Sequence, residues 1–561
     1  MPLSAAEDIS GKYRDPDNAT CGFSESVTCD GTQDEASDSG VTECTTCGTL
    51  SDIAHTHPRG IPLNAGRETG AIADTPTTLK VTCSKLVRHE RNETHMHKSG
   101  NLCQSRNHDG LPEKSLTNGT GRLYKLVAWV KKLTFNREKT AVYMEVIDGT
   151  SPMHVPIIVR NTHKDYTEIN NIDVGDAITV VGTTEIKYTG NVKQTQQVRI
   201  VVENDELGHS LTIHQKERHN DTNPVAINGV YPMTYLREYC NLRVRNPPVQ
   251  AIFRIRSKVT EKIFQIFADM DFVHVTTPTL TGMSCEGMGE LFKGNDTYLS
   301  VSGQLELEAM CSGISRVWKL GPAFRADRSD TPRHLSEFWM LEAEINDVTL
   351  NELITIIHTI IKNTADAILT ECSDELEVLN RYSDEDITVK LNLVKNMDLK
   401  TFTYKQAMDM LNKDKEMDPS VEHTTMSWGD PLTAAHERSL IKIIQRPLIA
   451  VTNYPAKIMP FYMENGHNDT VNNVDIIADG VGEIAGGSLR EVRYHILKRV
   501  MEQHNIVGSE YDQYLELRKF GNTPHGGFGI GLERMLMFLL RIQNIKDVIH
   551  FPKLRKKYSV D

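Results

Sequence analysis

Two arginines, an aromatic ring and two carboxylates are the residues of this chain that could do chemistry together. Phe324-Arg325-Ala326-Asp327 precedes, and Arg333-His334-Leu335-Ser336-Glu337-Phe338 follows, a polar stretch of Asp, Ser, Thr and Pro that reads as a turn. The flanking segments Arg316–Leu320 and Glu337–Glu342 alternate apolar and polar residues as half-buried strands do. The pattern predicts an antiparallel hairpin with Arg325 facing Phe338, and with Arg333 and His334 at the loop's return. A guanidinium fork suits a phosphate, and an aromatic face suits a nucleobase. Taken alone, the stretch also fits an ordinary hairpin with a surface arginine. Near the C-terminus, HGGFGIGLER (His525–Arg534) sets a glycine run, open to close ligand approach, before an apolar helix-like run. Arg534 then supplies a second guanidinium for a polyphosphate. Residues 473–490 carry carboxylates on a predicted strand pair, which offer the hard oxygens that Mg2+ takes.

Phe324-Arg325-Ala326-Asp327 and Gly529-Ile-Gly531-Leu-Glu533-Arg534 resemble motifs 2 and 3 of the class II aminoacyl-tRNA synthetases, and RHLSEFW and PHGGFGIGLER resemble the asparaginyl members of the aspartate, asparagine and lysine subgroup. The resemblance runs from about Leu123 to the C-terminus. It implies ATP at Arg325, Asp327, Arg333, His334, Leu335, Phe338, Glu483, Gly531, Glu533 and Arg534. Arg325 would act on the α-phosphate, Arg534 on the γ-phosphate, and Phe338 would stack on adenine. Mg2+ would sit on Glu483 and Asp475. L-asparagine would meet Glu286, Gln304, Glu342 and Arg490. Asp327 stands where the family has Glu, one methylene longer.

The same resemblance separates asparagine from aspartate. Aspartyl enzymes place a lysine three residues after Gln304; here that position is Leu307. A carboxylate buried without a cation is costly, and a neutral amide is not. Glu342 would then accept from the substrate amide and Arg490 donate to its oxygen, with Gly486 beside the metal and Gly487 leaving space by the substrate side chain. The competing readings are an aspartyl-tRNA synthetase (possibly non-discriminating), an ammonia-dependent asparagine synthetase, a catalytically inactive RNA-binding relative and a structural dimer scaffold.

These residues need a scaffold, and the 561 residues are enough for several domains, with 39% hydrophobic and 24% charged residues. The expected architecture is multidomain α+β. No apolar run reaches the roughly 18 residues of a membrane span, so a soluble cytoplasmic protein is expected. A net charge of −13 excludes a wholesale nucleic-acid coat but not a local basic face. Residues 1–116 form a Cys- and His-containing extension, acidic at its start and read as flexible; residues 1–50 hold ten acidic against two basic residues. Cys44 and Cys47 have zinc-ligand spacing, with Cys83 or a histidine as a further ligand. Ten scattered cysteines do not form a disulfide framework.

Residues 117–205 read as short strands of an oligonucleotide-binding (OB) barrel, the anticodon domain of the resembled family. Tyr143 falls at its base-stacking position, while Ile147 and His154 replace its usual arginine and glutamine. Lys131, Lys132, Arg137 and Lys139 form a basic turn. Residues 206–248 are a linker, and 249–561 the catalytic domain, an antiparallel sheet flanked by helices. Val249–Met270 has helical apolar spacing, and with the strand after it resembles motif 1, implying a homodimer. Ser284–Phe292 resembles a mobile loop that closes over the amino acid. Tyr298–Glu308 alternates and is read as a strand. The implied partners are tRNA(Asn), L-asparagine and ATP.

Overall fold

The computed structural model describes residues 79–81, 83, 86, 123–189, 195–203, 205–214, 224–225, 231–283, 291–295, 297–327, 329, 331–506 and 508–554. The expected flexibility of 1–116, the Cys44–Cys47 pair and Glu286 lie outside these residues, apart from the few that follow Thr78. The described residues fall in one compact unit, Asp74–Asp561. None of their helices is long and apolar enough to cross a membrane.

The first sheet has seven strands: β1 Leu79–Lys80, β2 Tyr124–Phe135, β3 Ala141–Ile147, β4 Val155–Arg160, β5 Ala177–Thr189, β6 Thr195–Val202 and β7 Ser210–Ile213. They pair in the order β1-β2-β3-β4-β6-β5-β7, with a further pairing of β2 to β5. Alternation does the sorting, as period 2 requires. Leu126, Ala128 and Val130 of β2 and Val142, Met144 and Val146 of β3 pack into one core. Trp129 and Tyr143 stay on the outer face, 37% and 45% exposed. Gly182 is obligatory where β5 crosses β6, since a Cβ there would lie 2.3 Å from the Val201 carbonyl. Cys83 is fully buried in this core, and its N–H donates to Asp148 Oδ2 at 2.9 Å. Burial, then the Asp148 charge, pushes its thiol far up, and it sits in this core as a packed apolar group.

The second large sheet carries the chemistry-bearing segments. Its strands are β8 Val273–His274, β11 Arg316–Phe324, β12 Glu337–Asn346, β13 Lys400–Thr403, β14 Leu448–Thr452, β15 Asn473–Ala478, β16 Gly482–Leu489 and β17 His525–Gly531; β9 Leu280–Thr281 and β10 Tyr298–Leu299 form a separate small pair. The order is β13-β14-β15-β16-β17-β12-β11-β8, antiparallel except at its two ends, β13–β14 and β11–β8. One face is covered by α1 Pro247–Asp269, α3 Leu350–Glu371 and α5 Leu532–Leu540. α1 starts with proline at its first position, and Thr349 with Glu352 forms a capping box at α3. Ile255 and Val259 of α1, Leu353 and Ile357 of α3, Leu341 and Ala343 of β12, and Phe528 and Ile530 of β17 share one core.

One element departs from expectation. Gln304–Cys311 is a helix, α2, and only Tyr298–Leu299 of the expected strand is extended. Leu, Glu, Ala and Met after Gly303 are helix formers without a β-branched residue, and this outweighs the period-2 run of Leu-Glu-Leu-Glu.

The scaffold is pinned to the start of α5 by a buried ion pair, Arg256 of α1 to Glu533 at 2.7 Å. Removing one partner of such a pair leaves a buried charge. Arg256→Ala should therefore lower unfolding free energy by roughly 3–5 kcal/mol, read from urea midpoints. A change below about 1 kcal/mol would reject this assignment.

Candidate functional site

The site is the sheet face opposite those helices. Because Leu341 and Ala343 point into the core, Phe338, Met340, Glu342 and Glu344 must point the other way. Opposite them on β17 stand glycines: Gly531 pairs with Met340, Gly529 with Glu342 and Gly527 with Glu344. A Cβ on Gly527 would fall 1.9 Å from Glu344 Oε2, so only hydrogen fits beneath that carboxylate. A cavity, partly open to solvent, lies on this face.

The cavity gathers Arg325, Asp327, Arg333, His334, Leu335, Phe338, Glu483, Gly531, Glu533 and Arg534. Ala323 pairs with Phe338 across the hairpin, and the Arg325 guanidinium lies 5.5 Å from the Phe338 ring centre. Arg534 donates to the Glu483 carbonyl at 2.8 Å, and Arg333 to the Val481 carbonyl at 2.6 Å. Burial pushes Arg534 down, Glu483 pulls it up, and Arg325 and Arg333 push it down again. His334 is also lowered, by burial and then by Arg534, Arg333 and Arg325. Three guanidiniums that repel one another in a half-enclosed space make a site for a polyanion. Asp327 is exposed at its rim. Glu533 lines the cavity, but its carboxylate pairs with Arg256 and accepts from the Trp339 N–H at 3.0 Å. Its side chain serves the scaffold.

Asp475 and Glu483 flank Gly486: a Cβ there would lie 3.2 Å from Glu483 Oε1 and 3.6 Å from Asp475 Oδ1. Burial, then the Glu483 charge, raises the Asp475 carboxyl well above its ordinary value. Two facing carboxylates over a glycine fit a hard divalent cation, which would relieve their repulsion. Gly487 is turned to the other side of the sheet, where a Cβ would meet Leu353 Cδ2 at 3.2 Å. It leaves no space at the site, contrary to expectation, because it directly follows Gly486 and consecutive residues of a strand face opposite layers.

Beyond the glycines lies a buried network, of which the sequence reading named Gln304 and Arg490 but missed Glu308, Glu344, Tyr514 and Arg518. Arg490 donates from Nε and Nη2 to Glu344 at 2.9 Å each, and from Nη1 to Ser488 Oγ at 2.7 Å. Glu308 accepts from Gln304, Tyr514, Arg518 and His525. Burial would raise the Glu308 carboxyl, but Arg518, His525 and Arg490 outweigh it and hold it far down. Glu308, Glu344 and His525 lie close enough for one ion, yet Arg490 and Arg518 already match their charge. The Tyr514-x-x-x-Arg518 spacing was the available signal. Glu308 had none, because the strand reading hid its one-turn spacing from Gln304. Leu307 packs with Cys311 and Val317 in a small apolar cluster under α2.

Burial pushes the His525 imidazolium down, but Glu308 reverses this and raises it above the ordinary 6.5. A raised histidine contributes stability that is complete below that value and lost as pH rises through the folded one. His525→Gln should flatten the decline in urea midpoint as pH rises above 6.5. An unchanged slope would contradict the coupling.

The comparisons agree with this geometry. Residues 233–555 match the family model described as tRNA synthetases class II (D, K and N). An asparagine–tRNA ligase of Clostridium botulinum (strain Eklund 17B / Type B) is 34% identical over 454 residues, 76% of this chain and 93% of that one. A Mus musculus asparaginyl-tRNA synthetase is 33% identical over 457 residues, 77% and 90% of the two chains. The crystal structure of asparaginyl-tRNA synthetase from Pyrococcus horikoshii complexed with asparaginyl-adenylate superposes with a TM-score of 0.68 at 26% identity, covering 77% of this chain and 95% of that one. The chain belongs to the class II tRNA synthetases of the aspartate, lysine and asparagine group, and within it to the asparagine–tRNA ligases.

Proposed function

We propose that this chain activates L-asparagine with ATP and transfers it to the 3′ end of tRNA(Asn). A carboxylate oxygen of asparagine attacks the α-phosphorus, pyrophosphate leaves, and a terminal ribose hydroxyl of the tRNA takes the aminoacyl group from the adenylate. The single observation that carries this is the convergence of Arg325, Arg534, Phe338 and Glu483 on one cavity. Arg325 steadies charge on the α-phosphate, Arg534 binds the γ-phosphate, and Arg333 with His334 reaches the triphosphate. Phe338 stacks on adenine. No side-chain nucleophile is needed, since positioning and fixed positive charge carry the rate.

Glu483 and Asp475 would hold a magnesium ion, which when bound neutralises phosphate charge. Gln304 lies near the amino-acid backbone, Glu286 closes over its ammonium group, and Glu342 and Arg490 bracket its side chain. Residues 117–205 form the OB-fold anticodon domain; the pairing of β2 with β5 supports its closure and the exposed Tyr143 its stacking role. Ile147 is buried, and the His154 ring lies 2.8 Å from Lys131 Nζ, so base reading rests on stacking more than on these side chains. Residues 249–561 form the catalytic domain and work as a homodimer through α1 and β8, where Phe264 and Val273 leave an apolar edge 43% and 46% exposed.

The reading is tested by charging tRNA with asparagine against aspartate, where equal use of aspartate would overturn it. Arg325→Ala should cut adenylate formation by roughly 10²–10³ or more, measured by ATP–pyrophosphate exchange; retained exchange would refute its role. Tyr143→Ala should weaken tRNA binding by roughly 1–3 kcal/mol and leave exchange intact, and unchanged tRNA affinity would remove the stacking role.

A further inference from the structure

The amino-acid end of the site holds a buried lysine to which the reading above gives no role. Lys319 stands on β11 directly across from Glu342, on the same face of the sheet. Its Nζ lies 3.2 Å from Glu342 Oε2 and donates to Thr277 Oγ1 at 2.9 Å. Gly303 makes room for it: a Cβ there would sit 2.7 Å from Nζ and 2.8 Å from Cδ. Glu342 is fixed from its other side by the Ser302 hydroxyl and by the Gly303 N–H at 3.1 Å. Glu306 faces the same pair; burial pushes its carboxyl up, with Lys319 pulling it down and Glu342 raising it further.

The pairing bears on the choice between two substrates that differ in one group. Asparagine ends in a neutral amide and aspartate in a carboxylate. With Lys319 matched to Glu342 and Arg490 matched to Glu344, neither pair leaves a surplus cation at this end of the pocket. A carboxylate brought there would be buried without a counter-charge, whereas an amide needs only hydrogen bonds. The expected reason for excluding aspartate was that position 307 lacks a cation. A cation does stand close by, and Glu342 consumes it.

We propose that Lys319 is a specificity-determining positioning residue: paired with Glu342, it holds that carboxylate in place while the two charges cancel, which tunes the pocket to an amide. It acts through Glu342, and rests on the reading that the substrate side chain lies at Glu342 and Arg490.

The test is ATP–pyrophosphate exchange by the full chain with asparagine and with aspartate. Glu342→Gln frees the lysine and should raise the aspartate-to-asparagine ratio of kcat/KM about tenfold or more. Adding Lys319→Met to it removes both charges and should return the ratio to within about threefold of wild type. Lys319→Met alone should raise KM for asparagine about tenfold with kcat within about threefold, and leave aspartate unused. A merely structural lysine would lower both substrates alike and leave every ratio unmoved. An unchanged ratio in Glu342→Gln, or a raised ratio that persists in the double variant, overturns the proposal while asparagine exchange by wild type keeps the functional reading. Wild-type exchange with neither amino acid overturns both. If Glu342→Gln fails to fold, the single Lys319→Met variant decides, and an unaltered KM sinks the proposal.

Discussion

The site depends on one constraint, that a central strand has two faces and both are spoken for. On β12, Leu341, Ala343 and Ile345 are committed to the core beneath α1 and α3. Phe338, Met340, Glu342 and Glu344 are thereby committed to the ligand face, in fixed order and at fixed spacing. A slip of one residue would bury the carboxylates in a hydrocarbon core, so the register is enforced by the cost of that alternative. β17 answers with its own alternation, burying Phe528 and Ile530 and setting Gly527, Gly529 and Gly531 on the ligand face. The core under the helices and the emptiness above the sheet are one pattern seen from two sides.

The two ends of that face differ in electrostatics. At one end, Arg325 and Arg333 crowd Arg534, and Glu483 faces Asp475, so like charges stand close together. On the proposed function, a polyphosphate and a cation would relieve that repulsion. At the other end, Arg490 with Glu344 and Arg518 with Glu308 are matched before any ligand arrives. A prepaired pocket gains little from a second charge and discriminates by shape and hydrogen bonding. On the proposed function, the end with Arg325 and Arg534 therefore binds by charge, and the end with Glu342 and Arg490 selects against it.

What the sequence revealed follows the same division. Arg325, Phe338 and Arg534 were legible because a hairpin and a glycine run are local patterns, and the structure brings all three to one cavity. The helix Pro247–Asp269 was legible from apolar spacing. The network around Glu308 was not, because its members come from α2, β12, β16, β17 and the segment before β17, and nothing local marks a buried carboxylate as paired. The helix at Gln304–Cys311 was misread for a related reason. Leu-Glu-Leu-Glu has period 2, but burial of both leucines and of Glu308 comes from packing that a linear pattern does not encode. Cys83 shows the same gap, since a cysteine's spacing says nothing of whether its thiol faces water or valine.

Glu533 carries the argument furthest from the motif to its physics. It sits beside Arg534, where the resemblance implied a ligand contact, yet its carboxylate is taken by Arg256 and by the Trp339 N–H. Those two partners belong to α1 and β12, the helix beneath the sheet and the strand that carries Phe338. Fixing Glu533 therefore fixes the first turn of α5 to both, and Arg534 inherits that rigidity one residue later. A guanidinium on a long side chain is costly to order, and ordering it in advance removes that cost from the binding step. On the proposed function, Glu533 would thus serve phosphate binding by holding its neighbour Arg534 still, which a charged buried pair does well and an exposed one does not.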